Sequence, residues 1–593
     1  MASSINIPPS AAATISSAAA ATAGASASPF LFKPNHIFST TRNIHHRRHT
    51  ISCNSDNDRQ PVSPEKFDRR NVLIGLGGLY GASALSTSPL AFAAPITAPD
   101  VTKCGPADLP EGVTPTNCCP PPTAQIIDFK FPPPPKKLRV RPAAHLAGDE
   151  YIAKFNKAVE IMRALPDDDP RSFKQQANVH CAYCDGAYDQ AGFPDLELQV
   201  HNSWLFFPFH RYYLYFFERI LGKLIDDPNF AMPFWNWDSP AGMTIPAMYA
   251  NPRSALYDPL RDRAHQPPTV VDLNFSGGDS AADQITQRNL TTMYRQMVSN
   301  SRTSRLFFGS PYRRGEDPNP GSGSIENIPH GPVHVWTGDS KQPNFENMGN
   351  FYSAGRDPIF FAHHSNIDRL WTVWKTLGGR RKDIDDRDYL DASFVFYDEN
   401  AQMVRVKVRD CLDQGKLGYV YQDVEIPWLN SRPTPRISSA VRKLKNLVKA
   451  RAADTAARGP KDVFPAKLDR VVKVMVKRPK KKRSRKEKDE LEEILVIEGI
   501  EVDRDVYAKF DVFINDEDDE ISTPDNTEFA GSFVNVPHKH KHTRKIKTQL
   551  RLSITDILEE LDTEGDDHVL VTLVPTNSGD AVTINGIKIE LDD

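Results

Sequence analysis

Two regions of the chain carry different periodicities of apolar and polar residues. Between residues 149 and 377, apolar side chains recur at the spacing of helices that bury one face. From residue 461 to the C-terminus, short runs of alternating apolar and polar residues predict strands. The pattern therefore predicts a mainly α domain with long loops, followed by an all-β domain of sandwich or jelly-roll type.

The first region divides into helical segments and a strand-like end. The predicted helices are residues 150–164, 205–224, 283–298 and 365–377. Of these, 205–224 is so rich in Phe and Tyr that we expect it to be buried. Strand-like runs between 392 and 428 would complete a domain that spans 94–430. Residues 431–460 are polar and basic, which is typical of a protease-sensitive linker, and the β domain would span 461–593.

The N-terminal residues have the composition of targeting signals. Residues 1–55 are rich in Ala, Ser and Thr and contain no acidic residue before Asp56, as in an organelle transit peptide. Arg69-Arg70 then precede an apolar stretch with an Ala-Phe-Ala end, which is typical of a twin-arginine export signal. A disordered tail and a membrane anchor are the alternatives. The order of the signals predicts that residues 1–93 are removed and that the protein reaches the chloroplast thylakoid lumen.

Composition and charge exclude some classes of partner. The 593-residue chain has a formal net charge of −3, which argues against a polyanionic partner. The body holds no apolar run long enough to cross a bilayer, so we expect no stable membrane insertion. The basic run Lys477–Lys488 is followed at once by acidic residues and is predicted to be a solvated loop rather than a nucleic-acid site. His538, His540 and His542 alternate with lysines and are expected to be exposed.

Cysteines cluster where the chain lacks core-forming residues. Residues 95–140 are rich in Pro and need covalent cross-links to hold them in place. In an exported protein the expected cross-links are disulfides. The four candidates allow three pairings. Because adjacent cysteines rarely bond to each other, Cys104 is expected to take one of Cys118 and Cys119, and Cys181 the other. Metal binding by these cysteines is the alternative.

Histidines form two groups whose spacing indicates metal binding. His330 and His334 are four residues apart, so on a helix both imidazoles would leave one face and could bind one ion. The adjacent pair His363-His364, about thirty residues later, offers a third imidazole. The complete set is His180, His201 and His210 upstream, with His330, His334, His363 and His364 downstream. Two neighbouring sites of three histidines each are therefore predicted.

The type of ligand narrows the choice of metal. Imidazoles without carboxylate or thiolate suit copper, zinc or nickel. Two adjacent zinc sites made of imidazoles alone would concentrate positive charge, and no His-Cys-Met grouping indicates blue copper. We therefore predict two copper ions that bind O2 as a pair. An oxygen carrier without turnover and a zinc hydrolase are the alternatives.

At this point a family resemblance is clear. The upstream histidines with Cys184, and the downstream set followed by Ser-Asn-Ile-Asp368-Arg-Leu-Trp371, resemble the two copper-binding regions of plant polyphenol oxidases, the catechol oxidase and tyrosinase group. The resemblance implies a four-helix-bundle core that holds two coppers and a C-terminal domain that shields it. By its implied ligand sets, the first copper is held by His180, His201 and His210, and the second by His330, His334 and His364. His363 would be a neighbour that is not a ligand.

The resemblance also implies roles for residues around the coppers. Cys184 would be joined to His201 through a thioether, and Glu326 would orient a water molecule. Phe351 would shield the second copper. The implied disulfides are Cys104–Cys119 and Cys118–Cys181. Lys509-Phe-Asp-Val512 resembles the signature of the shielding domain, and Tyr419-x-Tyr421 resembles the tyrosine motif that ends the catalytic domain.

One residue departs from part of the family and bears on the reaction. Gly331 stands where members that readily hydroxylate monophenols often have Asn, which could help Glu326 hold a base. The implied reaction is oxidation of o-diphenols to o-quinones with O2 reduced to water, and with at most weak hydroxylation of monophenols. The partners would be small phenols, O2 and a protease that activates a latent proenzyme at the linker.

Overall fold

The computed structural model describes residues 94–592 apart from 124, 134, 276, 278–279, 437–457, 517–521 and 540–541. The predicted transit peptide and export signal at 1–93 lie outside the described residues, as does most of the predicted linker. Among the described residues, none of the helices combines the length and the hydropathy that a membrane crossing requires.

Helices dominate the N-terminal two thirds of the described chain. They are α1 (Asp149–Ala164), α2 (Phe173–Cys184), α3 (Phe206–Leu224), α4 (Ala247–Ala250), α5 (Ala282–Tyr294), α6 (Ser304–Phe308), α7 (Gly331–Thr337), α8 (Phe351–Ala354), α9 (Ile359–Thr376) and α10 (Arg387–Asp391). All but three of the 19 residues of α3 are buried, because its Phe and Tyr side chains pack on every face. The prediction of a buried helix here is confirmed.

Helix α9 begins earlier than its sequence pattern predicted. It starts at Ile359, so His363 and His364 lie inside the helix instead of preceding it. The helix start is fixed by Asp357, whose Oδ1 accepts a hydrogen bond of 2.9 Å from the Ile359 backbone N–H. Asp357 is itself held by the buried Arg261 guanidinium, at 2.6 Å. A contact between residues so far apart in sequence leaves no local signal.

Short strands lie between and after the helices, and a buried ionic cluster packs the helices together. The strands are β1 (Ile127–Asp128), β2 (Arg139–Arg141), β3 (Asp189–Gln190), β4 (Phe193–Glu197), β5 (Ser393–Tyr397), β6 (Met403–Lys407) and β7 (Tyr419–Tyr421). Asp368 on α9 accepts hydrogen bonds from Arg211 on α3, at 2.5 Å, and from Tyr419, at 2.6 Å. Because all three side chains are buried, the cluster fixes α9 against α3 and β7.

The C-terminal region is a β-sandwich. Its strands are β8 (Ala466–Lys467), β9 (Val472–Lys477), β10 (Glu492–Asp503), β11 (Ala508–Ile514), β12 (Phe529–Asn535), β13 (Lys545–Ser553), β14 (His568–Asn577), β15 (Val582–Ile584) and β16 (Gly586–Asp592). One sheet has the order β12-β11-β14-β9, and the other is built on β10, which pairs with β13 on one side and with β15 and β16 on the other. Alternating residues from both sheets form one apolar core. The predicted fold class is confirmed.

Three short helices accompany these strands. They are α11 (Pro460–Val463), α12 (Arg485–Glu490) and α13 (Thr555–Glu560). Helix α12 begins within the basic run Lys477–Lys488, which was predicted to be a solvated loop, and this prediction is partly wrong. Arg478 and Arg483 of that run are buried, and Arg478 donates hydrogen bonds to Glu493 at 2.7 and 2.9 Å. Several of the lysines are paired with acidic residues, as a solvated face would be.

Candidate metal centre

Seven histidines of the α domain form two buried groups. Within each group the candidate ligand atoms lie within 4.8 Å of one another. Their helices meet here: His180 is on α2, His210 on α3, His334 on α7, and His363 and His364 on α9, while His201 precedes α3 and His330 precedes α7. The groups are His180, His201 and His210, and His330, His334, His363 and His364. The structure thus brings together every histidine of the predicted metal-binding set.

Each histidine of the first group is oriented through its Nδ1 atom. His180 Nδ1 donates to the Phe351 carbonyl oxygen and His210 Nδ1 to the Phe206 carbonyl oxygen, both at 2.8 Å. His201 Nδ1 donates to Gln199 Oε1 at 3.2 Å. Because Nδ1 carries the proton, Nε2 of each ring keeps a lone pair. All three Nε2 atoms are buried without a hydrogen-bond partner among the described residues, as expected of metal ligands.

His330 and His334 of the second group show the same orientation. His330 Nδ1 donates to the Glu326 carbonyl oxygen at 2.9 Å, and His334 Nδ1 donates to the Met348 carbonyl oxygen at 2.7 Å. His334 Nε2 lies 3.2 Å from His364 Nε2. Since His334 Nε2 is a lone-pair atom, a shared cation or proton is needed to make this approach favourable. A metal ion bound by both rings fits this requirement.

A hydrogen bond from Trp237 distinguishes His363 from His364 as a possible metal ligand. The Trp237 indole N–H can only donate, and it donates to His363 Nδ1 at 3.1 Å. The neutral His363 ring must therefore carry its proton on Nε2, which removes the lone pair that a metal would need. His364 has no such constraint. These hydrogen bonds favour His364 over His363 as the third ligand of the second group.

Burial keeps the whole cluster uncharged. Desolvation lowers the pKa of His180 to about 3 and that of His334 to about 4, and it lowers the pKa of the other five histidines well below the usual value. Neutral imidazole is the form that binds metals. The donor set of uncharged nitrogens fits copper as the sequence predicted.

Glu326 is the carboxyl group beside the cluster. Its Oε1 accepts a hydrogen bond of 2.5 Å from the Asn202 backbone N–H, and its Oε2 is buried with no hydrogen-bond partner among the described residues. Burial raises the pKa of Glu326 well above its usual value. Oε2 is therefore free to hydrogen-bond a water molecule or a phenol.

Phe351 and residues of the β domain lie over the first group. The Phe351 ring stacks on His201 with a centroid distance of 4.2 Å, so the aromatic ring assigned to the second copper contacts the first group. On its other side it stacks on His538, at 4.9 Å. The prediction that His538 is exposed is wrong: it is 1% exposed, because Phe351, which is distant in sequence, covers it.

Gly331 lies against strand β12. A Cβ atom at residue 331 would be 3.1 Å from Val534 Cγ1 and 3.4 Å from Val536 Cγ2. The side-chain amide of Asn327 bonds the backbone of the same strand, donating to the Ser532 carbonyl oxygen and accepting from the Val534 N–H at 3.1 Å. The β domain therefore covers the cluster at the residue that was singled out for substrate choice.

The cysteines take positions close to the histidines. Disulfides link Cys104 to Cys119 and Cys118 to Cys181, which are the pairs that the family resemblance implied. These four thiols are therefore not available as metal ligands. Cys184 is buried outside these disulfides. Gln199 Nε2 donates to the Cys184 carbonyl oxygen at 3.0 Å, which places Gln199 between Cys184 and His201.

Sequence reasoning missed three residues of the centre. Gln199 and Trp237 orient His201 and His363, and His538 packs on Phe351. Gln199 lies two residues before a histidine and Trp237 lies in an aromatic run, and neither pattern indicates a hydrogen bond to a ring nitrogen. His538 could have been found through the neighbouring Val and Pro residues, which are typical of a buried segment.

Comparison with known families agrees with this geometry. Residues 170–377 match the common central domain of tyrosinase, residues 383–434 match the polyphenol oxidase middle domain, and residues 464–591 match the chloroplastic polyphenol oxidase C-terminal domain. The first match contains all seven clustered histidines, and the third contains β12 and His538.

Individual relatives extend over nearly the whole chain. A chloroplastic polyphenol oxidase of Malus domestica is 64% identical over 91% of this chain and 92% of its own length. Aureusidin synthase of Antirrhinum majus is 61% identical over 93% of this chain and 100% of its own. The structure of latent apple tyrosinase superposes with a TM-score of 0.74 at 62% identity, over 79% of this chain and 100% of that one. The chain therefore belongs to the plant polyphenol oxidases, oxidoreductases of the tyrosinase family.

Proposed function

We propose that this protein oxidises o-diphenols to o-quinones with two copper ions and O2. Two diphenols each lose two electrons and two protons, and one O2 takes them up to give two molecules of water. The observation that carries the proposal is two neighbouring groups of buried histidines: Nε2 of His180, His201, His210 and His330 has no hydrogen-bond partner among the described residues, and Nε2 of His334 lies 3.2 Å from Nε2 of His364. Bound copper would supply O2 binding and two-electron exchange with the diphenol.

The chain supplies the ligands and the environment. His180, His201 and His210 would hold the first copper, and His330, His334 and His364 the second. Phe351 offers an aromatic face beside His201, against which a phenol ring loses its hydration. Glu326 Oε2 would form a hydrogen bond with a water molecule or with the substrate hydroxyl group, and so position it. The proposed thioether between Cys184 and His201 would restrict the rotation of that ring.

One assay tests this function against its alternatives. Copper content would be measured together with O2 uptake on catechol and on tyrosine, before and after limited proteolysis. The proposal expects about two coppers per chain and quinone formed in proportion to the O2 consumed. Reversible O2 binding without quinone would indicate an oxygen carrier, and zinc in place of copper would indicate a hydrolase.

We also propose that the protein is made as a latent enzyme in the chloroplast. Chloroplastic relatives and the structure of a latent tyrosinase support this. In the described residues, Val534, Val536 and His538 of the β domain lie over Gly331 and Phe351. Cleavage in residues 431–460 and entry into the thylakoid lumen remain part of the proposal, because 437–457 and 1–93 lie outside the described residues.

The Gly331→Asn variant tests the proposed control of substrate choice. In protein freed of the β domain, we expect the rate on tyrosine relative to catechol to rise severalfold, because the added amide can help Glu326 hold a base for phenol deprotonation. The matched control is Gly331→Ala, which adds a Cβ atom without an amide. Equal ratios for the Asn and Ala variants would contradict the role of this residue.

Acid should weaken the docking of the β domain through His538. Burial lowers the pKa of His538 to about 3, whereas an exposed histidine has a pKa near 6.5. The docked state therefore favours the neutral ring. This contribution to docking is complete above pH ~6.5 and falls by about 1.4 kcal/mol per pH unit as the pH decreases toward 3. Full-length protein should become more active on catechol as the pH falls from about 6.5 to 5.

A substitution isolates this effect. His538→Gln cannot take up the proton, so its activation should depend less on pH than that of the parent protein. Arg504 faces His538 and lowers its pKa, and the interface carboxyl groups of Glu197 and Asp185 have raised pKa values that act in the opposite direction. Those groups are present in both proteins, so the difference between the two pH profiles reports His538. Identical profiles would refute its involvement.

A further inference from the structure

The hydrogen bond that orients His201 differs in type from those that orient the other two histidines of the first group. The Nδ1 atoms of His180 and His210 donate to backbone carbonyl oxygens, which cannot be exchanged by changing a side chain. His201 Nδ1 donates to a side chain, Gln199 Oε1, at 3.2 Å. Both residues are almost fully buried, with Gln199 0% and His201 1% exposed.

The surrounding hydrogen bonds fix the orientation of the Gln199 amide. Its Oε1 atom faces the backbone N–H groups of Val200, at 2.9 Å, and His201, at 3.0 Å, which can only donate. Its Nε2 atom faces the Cys184 carbonyl oxygen, at 3.0 Å, which can only accept. Donors at one end and an acceptor at the other allow a single assignment of oxygen and nitrogen. Gln199 Oε1 must therefore accept the proton of His201 Nδ1, and the lone pair of His201 is confined to Nε2.

The hydrogen bonds continue from Gln199 to the other domain. Gln199 Nε2 also donates to Glu197 Oε1 at 3.2 Å, and Glu197 Oε2 accepts from the Arg504 guanidinium at 2.9 Å. Glu197 ends β4 of the α domain, and Arg504 follows β10 of the β domain. Glu197 is 1% and Arg504 4% exposed, so water does not screen this ion pair. An unbroken buried series of contacts thus runs from the β domain to His201.

We propose that Gln199 is a positioning residue for the first copper, and that Arg504 and Glu197 make its hold on His201 depend on the docked β domain. The proposal rests on the proposed copper function. Gln199 fixes the ring and its tautomer, and Glu197 keeps the Gln199 amide in place while Arg504 neutralises the carboxylate. Loss of such an outer contact typically weakens metal binding about 10- to 100-fold.

The test is equilibrium competition for copper against a Cu(I) chelator, with full-length protein. In Gln199→Met we expect one of the two coppers to bind about 10- to 100-fold more weakly, with the other unchanged. The matched control is Gln176→Met, which changes another buried glutamine, whose Nε2 donates to the Pro170 carbonyl oxygen. A general loss of packing would weaken both coppers or affect both variants, whereas the positioning role predicts loss at one site in one variant.

The contribution of the β domain is tested by Arg504→Met. It should weaken the same copper by a smaller factor, while Arg302→Met, which breaks an interface ion pair with Asp556 elsewhere, should not. If Gln199→Met fails to fold, Arg504→Met and Glu197→Gln test the proposal instead, because each should weaken the binding of the same copper. Wild-type affinity at both sites in these variants would overturn the inference and leave the proposed function standing. Wild-type protein without copper would overturn the proposed function itself.

Discussion

Replacing His210 by Ala should remove copper from the first site and abolish the oxidation of catechol in protein that remains folded. His210 lies in the interior of α3 and is 2% exposed, with Nδ1 bonded to Phe206 and Nε2 turned into the cluster. Ala preserves the helix but removes one of three proposed ligands. We expect the rate to fall at least about a thousandfold, which is equivalent to about 4 kcal/mol of activation free energy.

Copper per chain, O2 uptake on catechol and thermal unfolding would be measured on the same preparation. His334→Ala should behave in the same way through the second site. The control is His145→Ala, because His145 is a partly buried histidine outside the two groups. This variant protein should keep both coppers and its activity. Catechol oxidation by a copper-free His210→Ala protein would refute the assignment.

Removing the β domain should increase the rate on catechol at least about tenfold. This factor corresponds to about 1.4 kcal/mol in the equilibrium between covered and accessible sites. Val534 and Val536 pack on Gly331, the Pro537 carbonyl oxygen accepts from the Phe351 backbone N–H at 3.2 Å, and His538 covers the Phe351 ring. A phenol cannot reach that ring while these residues are in place. Equal turnover by full-length and trimmed protein would contradict the proposed cover.

Cleavage of the linker is the first step of the proposed activation, but a cut alone should leave most of this inhibition in place until the β domain separates. The domains share the buried Glu197–Arg504 ion pair, which a cut in the linker does not break. Asn327 and Lys539 add hydrogen bonds across the interface. We therefore expect nicked protein to elute as one complex with low activity, and to become active when mild denaturant separates the pieces. Protein nicked and then resealed by ligation would be the matched control.

Residue types and spacing were sufficient to predict which histidines the structure brings together. His330 and His334 lie on successive helical turns, and the upstream triad supplies the second set of imidazoles. Such patterns are local, because a helix places residues four apart on one face whatever surrounds it. The order of a mainly α domain and a β domain was predictable for the same reason, since the two periodicities differ along the chain.

Features that depend on distant contacts were not predictable. The start of α9 is fixed by Arg261 through Asp357, and the burial of His538 is imposed by Phe351. The preference for His364 over His363 was implied by the family resemblance alone, because the hydrogen bond from Trp237 that favours it leaves no local pattern. In each case the partner lies about a hundred residues or more away, where no periodicity can indicate it.

The contact between Gly331 and Val534 has a consequence for how this protein can diversify. Residue 331 is the proposed determinant of substrate choice and lies against strand β12, at a spacing that leaves little room for a larger side chain. We therefore expect a larger side chain at 331 to need a smaller residue at 534 if the proposed latency is to be kept. Selection for a new phenol and selection for a silent precursor act on the same pair of residues.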